Sequence, residues 1–537
     1  MIQKFISFRQ GSIALLALAS ILFPALSSAQ FQPPPRPKLV LFIAIDQFRY
    51  DYLTRFRSEY TGGLKTLLDR GAVFANANLE HYPTVTAIGH STMLTGATPS
   101  ISGIIGNDWF DRESGKSVTS VSDDNTRLLG GGDRAGSSPH RLLVSTVGDE
   151  LKRSGLQAPK VFGISLKDRS AILPAGHMAD GAFWFSSDTG EFVSSTYYYK
   201  ELPAWVKAFN EEKHPEKYAG KVWVSATNGA TERKLLEKPG PMLYSGVYAS
   251  PYGNDVLALF AERALTHEKL GQRGTTDLLS VSFSSNDAVG HAFGPDSVEA
   301  HTISLNVDKA LGRLLDAVDR QVGLDNVLIA LTADHAVSPI PEVLSEQHMP
   351  GGRLKGNFFA PMQTALEKKY GEGKWILSTA GSSPYLNHDL IAAKNIRPAE
   401  VRSVAAFAIK DHPQVMRVYT RDQILNGRAV IDRIDERVFR GFNEKRSGDI
   451  DVILNPYWIR GTTTATHGSP FNYDTHIPLI LMGKSVKSGF YYQHAAQNDL
   501  APTIASMLSI EIPSGSVGRV LYEVFQPVSA SVTGKKK

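Results

Sequence analysis

The amino-acid sequence predicts an α/β protein built on a doubly wound, mostly parallel sheet, with insertions that cap one edge. Three observations lead there. Short, continuous apolar runs recur at Leu39–Ile45, Val161–Leu166, Leu278–Phe283, Val327–Thr332 and Ile477–Met482, the pattern of strands buried on both faces. Amphipathic stretches of helical spacing lie between them. Several of the runs also finish on metal-ligating side chains: Asp46 after the first, Asp287 and His291 after the third, Asp334 and His335 after the fourth. Ligands of open α/β sheets gather outside the carboxyl ends of the strands, so this last pattern bears on function as well as fold. A lone Asp there is an ordinary turn residue; a set of them with imidazoles suits zinc or a similar divalent ion.

Taken in order, the chain opens with Lys4 and Arg9, an apolar stretch from Ile13 to Leu22, and the small residues Ser27-Ser28-Ala29. This reads as a secretory signal peptide over residues 1–29, cleaved after Ala29. The apolar stretch is too short for a comfortable membrane span, so a periplasmic or secreted protein without a stable membrane anchor is expected. Residues 30–537 then hold the folded part, entered through the proline-rich segment Phe31 to Pro37.

Leu39–Ile45 leads to Asp46, and Gly62 to Arg70 reads as a helix. Pro83 to Gly96 is a proline-led extended piece running into a helix-capable stretch, with Thr86 at the helix start. Backbone N–H groups and the helix dipole favour an anion there. A threonine hydroxyl is a poor nucleophile until a metal lowers its pKa. The ordinary role for Thr86 is an N-cap, and Thr84 is a rival nucleophile two residues earlier.

Val161–Leu166 leads into Lys167-Asp168-Arg169. Two cations one residue apart in extended chain point the same way, and such a pair can clamp the oxygens of a phosphoryl group. The alternative is a solvated loop paired to Asp168. Residues from about Phe183 to Ser250 break the rhythm and read as a first insertion. Leu257 to Ala264 restores it as a helix before the Leu278 strand. Ile303, Val307, Leu311, Leu314, Leu315 and Val318 recur at three- and four-residue spacing, a helix before the Val327 strand. Residues from about Pro339 to Arg460 form a second insertion. Both insertions fall where an active-site lid would lie.

Composition narrows the classes. With no cysteine there is no disulfide, thiolate ligand or thiol nucleophile, so a zinc site must use His and Asp. The 57 basic and 53 acidic residues nearly balance at +4, which argues against a nucleic-acid partner. Lys535-Lys536-Lys537 reads as a frayed basic tail.

Several segments together resemble a family. They are Asp46; Pro83-Thr84-Val85-Thr86-Ala87-Ile88-Gly89-His90; Gly103-Ile104-Ile105-Gly106-Asn107-Asp108-Trp109; and Asn286-Asp287-Ala288-Val289-Gly290-His291. They continue with Ala333-Asp334-His335, Thr466-His467-Gly468-Ser469-Pro470, Tyr473-Asp474-Thr475-His476-Ile477-Pro478 and the helix start at Asp499. In this order, from about residue 38 to 525, they are similar to the alkaline phosphatase superfamily, and within it to the phosphate-irrepressible PafA-like alkaline phosphatases.

The resemblance implies two Zn2+ per chain. Asp287, His291 and His467 would hold one. Asp46, Asp334 and His335 would hold the other, with Thr86 bound to it as nucleophile. It also implies that Asn107, Lys167 and Arg169 contact the non-bridging oxygens of small-molecule phosphate monoesters, hydrolysed through a phosphothreonine intermediate. By spacing alone His476 competes with His467; the Thr-His-Gly segment favours His467. The Lys167/Arg169 pair argues for monoesters over the diesters of related nucleotide pyrophosphatases/phosphodiesterases. Phosphonate hydrolysis on the same fold, or a non-catalytic protein binding metal or phosphate, are the remaining alternatives. Ser137-Ser138-Pro139-His140-Arg141 has a loose sulfatase-like pattern but is expected to be a loop and helix start. His90 is expected to pack or to support a ligand, His177 to be structural and His301 to be solvated.

Overall fold

The Leu39–Ile45 strand lies in the middle of an 11-stranded sheet. It pairs in parallel with Asp277–Phe283 on one side and Val327–Thr332 on the other. Val161–Ser165 and Gly181–Ser186 continue the parallel set beyond Asp277–Phe283. The register brings the strand ends level: Ile45 faces Phe283, Ala44 faces Thr332, and Ser282 faces Ser165. The residues that follow each strand therefore emerge along one edge, which is how four distant chain segments come to share a site. The computed structural model describes residues 36–526 apart from 133, 156, 226–230, 380–382 and 428–429. The leader, most of the proline-rich segment and the C-terminal lysines lie outside the described residues.

The sheet is doubly wound because both faces of its strands are apolar. Leu39, Leu41, Ile43 and Ile45 belong to one core, packed against the helices Gly63–Arg70, Pro251–His267 and Val298–Val322. Val40, Phe42 and Ala44 belong to another, under Thr86–Thr95, Val147–Arg153 and Leu500–Leu508. Each fully buried Leu, Ile, Val or Phe contributes about 1.5–3 kcal/mol. The long helix begins at Val298 because the Ser297 hydroxyl accepts from the Ala300 N–H at 3.1 Å.

The central parallel set is flanked by antiparallel pairs, and Ala72–Phe74 with Gly489–Tyr491 forms a further parallel pair at one edge of the sheet. Leu479–Met482 runs antiparallel to Val327–Thr332, and Glu191–Ser195 antiparallel to Gly181–Ser186. The apolar run expected from Ile477 starts its ladder only at Leu479, after Pro478, which has no N–H to donate.

Part of the segment expected to be the first insertion lies in the main sheet. Gly181–Ser186 and Glu191–Ser195 belong to the main sheet, and Phe192 stacks on Phe260 at 3.8 Å between centroids. The second insertion has its own core, including Phe359, Met362, Leu366, Trp375 and Val401. It carries small sheets of its own: Val415–Thr420 pairs antiparallel with Ile450–Leu454, and Gly352–Leu354 pairs parallel with Trp458–Arg460. Among the described residues no helix is long and apolar enough to cross a membrane.

Candidate active site

Asp46 follows the central strand and is fully buried. The backbone then turns through Gln47 with φ +55°, a left-handed conformation uncommon outside glycine. This turn aims two donors at once. The Gln47 N–H donates to Asp334 Oδ1 at 3.0 Å, and its side-chain amide donates to Asp287 Oδ1 at 2.7 Å. Gly290 makes room for that side chain: a Cβ there would lie 1.7 Å from Gln47 Oε1.

Two groups of possible metal ligands result. Asp287 and His291 sit one turn apart on the helix Ser285–Phe293, with 3.2 Å between Oδ1 and Nε2. His467 Nε2 lies 3.7 Å from Asp287 Oδ1 and 3.2 Å from His291 Nε2. In the other set, His335 Nε2 lies 3.6 Å from Asp46 Oδ1 and 3.4 Å from Asp334 Oδ2. Within each set the possible ligand atoms all fall within 4.8 Å of one another. His335 and His467 stack at 3.5 Å between ring centroids.

The imidazoles are held in the ligand tautomer by the main chain. His291 Nδ1 meets the Ala465 carbonyl at 2.9 Å, His467 Nδ1 the Thr84 carbonyl at 2.7 Å, and His335 Nδ1 the Ala336 carbonyl at 3.0 Å. A carbonyl only accepts, so each Nδ1 carries the proton and each Nε2 presents a lone pair.

The residues fit a pair of divalent ions. Asp46 Oδ1 and Asp334 Oδ2 are buried and accept no hydrogen bond, an arrangement that costs stability unless a cation satisfies them. One set offers two carboxylates and an imidazole, the other a carboxylate and two imidazoles, without sulfur. Both suit zinc and leave a position open. Burial, and then Asp334, push the Asp46 carboxyl well above its ordinary range. Burial acts the same way on Asp287, but Lys167, His291 and His467 outweigh it and hold that carboxyl well below. Burial lowers the pKa of His335 and His467, keeping them neutral as ligands must be.

Thr86 is the first residue of the helix Thr86–Thr95, and Val85, not Thr86, is its N-cap. The Thr86 hydroxyl lies 3.5 Å from His335 Nε2. Thr84 instead holds the His467 loop. Its hydroxyl donates to the Ser469 carbonyl at 2.9 Å and accepts from the Gly468 N–H at 3.1 Å. Asn107 Oδ1 accepts from the Ala87 N–H at 2.8 Å, which fixes the amide beside Thr86.

Lys167 Nζ lies 2.6 Å from Asp46 Oδ2 and 2.6 Å from Asp287 Oδ2, between the two sets. The extended geometry expected across Lys167-Asp168-Arg169 stops at Lys167, the N-cap of the helix Asp168–Ala175. Arg169 therefore reaches its place from a helical first turn. Its buried Nε has no hydrogen-bond partner, and its Nη1 stands 3.8 Å from Asp168.

The other histidines singled out in the sequence separate clearly. His90 supports the site: its Nδ1 donates to the Thr86 carbonyl at 2.9 Å, its Nε2 accepts from the Ser282 hydroxyl at 2.7 Å, and Asp334 Oδ2 is 3.3 Å away. His476 lies outside the ligand sets, bonded to the Ala75 carbonyl at 3.0 Å and stacked on Tyr50. His301 is only half exposed and pairs with Glu59 at 3.0 Å. The backbone carbonyl of His177 accepts from the Tyr197 hydroxyl. Ser137 ends a short strand, Ala135–Ser137, and no helix begins until Val147, so the helix start expected near Arg141 is absent. Sequence reasoning missed Gln47, Gly290 and Tyr248. Tyr248 ends the helix Pro241–Tyr248 within electrostatic range of Lys167, Asp287 and Asp46; burial raises its phenol pKa against the pull of Lys167.

Residues 40–470 match the family described as type I phosphodiesterase / nucleotide pyrophosphatase. The chain belongs to this family. Within the type I phosphodiesterase/nucleotide pyrophosphatase family it is 37% identical to the alkaline phosphatase PafA of Elizabethkingia meningoseptica, over 91% of this chain and 95% of that one. It is 36% identical to the alkaline phosphatase PhoV of Synechococcus elongatus, over 92% of this chain and 94% of that one. The crystal structure of wild-type alkaline phosphatase PafA superposes with a TM-score of 0.86 at 36% identity, covering 92% of this chain and all of that one.

Proposed function

We propose that the chain is an alkaline phosphatase that hydrolyses phosphate monoesters through Thr86, with two zinc ions. Asp46, Asp334 and His335 would hold one ion, and Asp287, His291 and His467 the other. The observation that carries this reading is the Lys167 ammonium. It bonds one carboxylate of each set at 2.6 Å, so a fixed cation stands between the sets, where an oxygen of a monoester dianion would be matched. A diester would bring a second alcohol in place of that anionic oxygen. The likeness to the alkaline phosphatases PafA and PhoV along nearly the whole chain supports the same reading.

Zinc, when bound, supplies Lewis-acid chemistry: it lowers the pKa of a coordinated hydroxyl or water and neutralises charge on phosphoryl oxygens. The Thr86 hydroxyl loses its proton and its oxygen attacks phosphorus in line. The ester P–O bond breaks as the new one forms, and the leaving oxygen takes the electron pair and one proton, balancing the one Thr86 released, to depart as the alcohol. Water then attacks the phosphothreonine, the P–Oγ1 bond breaks, and Thr86 recovers its proton as phosphate leaves. Through both steps Lys167 and Arg169 face the non-bridging oxygens with charge. Asn107 faces them with its amide hydrogens, because its carbonyl oxygen is taken by the Ala87 N–H. The N-terminal end of the Thr86–Thr95 helix adds its dipole.

The deciding experiment is turnover of p-nitrophenyl phosphate beside bis-p-nitrophenyl phosphate, with zinc-loaded and chelator-treated protein. Zinc-dependent preference for the monoester is expected. Preference for the diester would replace the monoesterase with a phosphodiesterase, the second reading, which the family's description favours. Absence of turnover on both would overturn the enzyme reading. Residues 1–29 would be a leader removed during export to the periplasm or beyond; a secreted protein beginning at Gln30, seen by N-terminal sequencing, is the expected result.

A further inference from the structure

A cleft of about 290 Å³ opens beside the site. Val85, Asn107 and His467 line it together with Trp458, Phe471 and Tyr473. Trp458 comes from the second insertion. It lies on the strand Trp458–Arg460, fixed by parallel pairing to Gly352–Leu354 with Gly352 opposite Trp458. Gly352 seats the indole: a Cβ at that position would come within 2.8 Å of the ring. Tyr473 is held as firmly. Its ring stacks on Tyr457 at 4.8 Å, its hydroxyl accepts from the Tyr457 N–H at 3.0 Å, and Phe471 lies against it at 5.7 Å. These aromatic walls are set by the protein's own packing, so a ligand would not have to order them.

The position of the cleft says which part of a substrate it would meet. Thr86 faces His335, in the Asp46 set. In-line displacement puts the leaving oxygen opposite the nucleophile, on the side of Asp287, His291 and His467. His467 is the ligand of that set that reaches the cleft, so an alcohol leaving on that side enters it. The volume sits near the lower end of the roughly 300–1,000 Å³ usual for small-molecule pockets. That is room for one planar ring system, and aromatic side chains favour a flat ring over a small aliphatic chain.

We infer that this cleft is the leaving-group subsite and that Trp458 makes the protein selective for phosphate monoesters of planar aromatic alcohols. The inference rests on the monoesterase reading above. It is tested on the zinc-loaded full-length protein by measuring kcat/KM for phenyl phosphate and for ethyl phosphate in the wild type, Trp458→Ala and Trp458→Phe. Comparing each variant with wild type on the same ester cancels the intrinsic reactivity of that ester. Trp458→Ala is expected to lose about five- to tenfold more on phenyl than on ethyl phosphate, with the difference in KM. Trp458→Phe, which keeps a ring and the fold, is expected to recover most of it. Equal losses on the two esters in both variants, or no loss in either, would overturn the subsite while leaving the monoesterase standing. A wild-type protein that turns over neither ester would overturn the monoesterase reading and the subsite with it.

Discussion

Gln47 holds Asp287 by a 2.7 Å hydrogen bond from its side-chain amide, and does so from a left-handed backbone. Because the N–H of the same residue binds Asp334, one residue sets the spacing between the two ligand sets. The residue type and the backbone conformation can be tested apart. Gln47→Gly keeps the left-handed turn and removes the amide; Gln47→Val removes the amide and strains the turn, since branched side chains avoid positive φ. Both variants are expected to lose zinc affinity, by roughly 10–100-fold for a group that orients a ligand, with Val the worse. Competition against a chromogenic chelator reads this directly. Wild-type affinity in both would remove Gln47 from the site's design.

Gly290→Ala should imitate the loss of the Gln47 amide without touching residue 47. The added methyl would lie 1.7 Å from Gln47 Oε1, and the flexible amide end must swing away from Asp287. The double variant Gly290→Ala/Gln47→Ala should therefore fall short of the sum of its parts. Additive losses in zinc affinity would show that the two positions act independently.

Gly89→Ala should be far more damaging. A Cβ there meets backbone, 2.3 Å from the Asp334 carbonyl oxygen and 2.6 Å from its Cα, and neither can rotate away. A loss of about 1–3 kcal/mol is expected from such overpacking, read as a lower urea midpoint with unchanged slope.

Thr86→Ala should abolish turnover and leave zinc content nearly intact if the hydroxyl is the attacking group, as proposed. Thr84→Val should do the reverse: its hydroxyl tethers the Gly468–Ser469 loop, so bound zinc should fall and turnover with it. Metal analysis beside single-turnover kinetics separates the two. A Thr86→Ala protein with full activity would remove the nucleophile assignment.

Acid should loosen the second insertion through Asp449. Burial works to raise this carboxyl, but His388, Arg112 and the Leu386 N–H outweigh it and bring it down to about 2. Its folded pKa thus lies below the unfolded value near 3.8. The resulting stabilisation is fully present above pH 4 and is lost as pH falls through about 2, an effect of order 2 kcal/mol. The stability gap between wild type and Asp449→Asn, from urea melts, is expected to narrow between pH 5 and pH 2. A gap independent of pH would contradict this.

The strands Leu39–Ile45 and Val327–Thr332 were legible residue for residue, because a central parallel strand is apolar on both faces and ends where polar residues begin. The clustering of the candidate ligands was legible because strand ends in register deliver Asp46, Asp334 and His335 to one edge. Gly181–Ser186 was hidden because its aromatic residues sit beside glycine and tyrosine that resemble a cap. Gln47 was hidden for another reason: its role lies in a backbone angle that no residue type announces. The directions of the outer strands, and the choice of Val85 over Thr86 as N-cap, depend on contacts between distant segments.

The carbonyls of Ala465, Thr84 and Ala336 that orient the three imidazoles belong to the main chain, and every amino acid carries one. Substitution at those three positions leaves the acceptor in place so long as the loop keeps its path. The tautomer of each imidazole is therefore set by the path of the main chain and not by the identity of the residue that lends the carbonyl, whereas the walls of the neighbouring cleft are made of side chains and change with every substitution. Such a protein can diversify in what it accepts while inheriting its reactive centre unaltered.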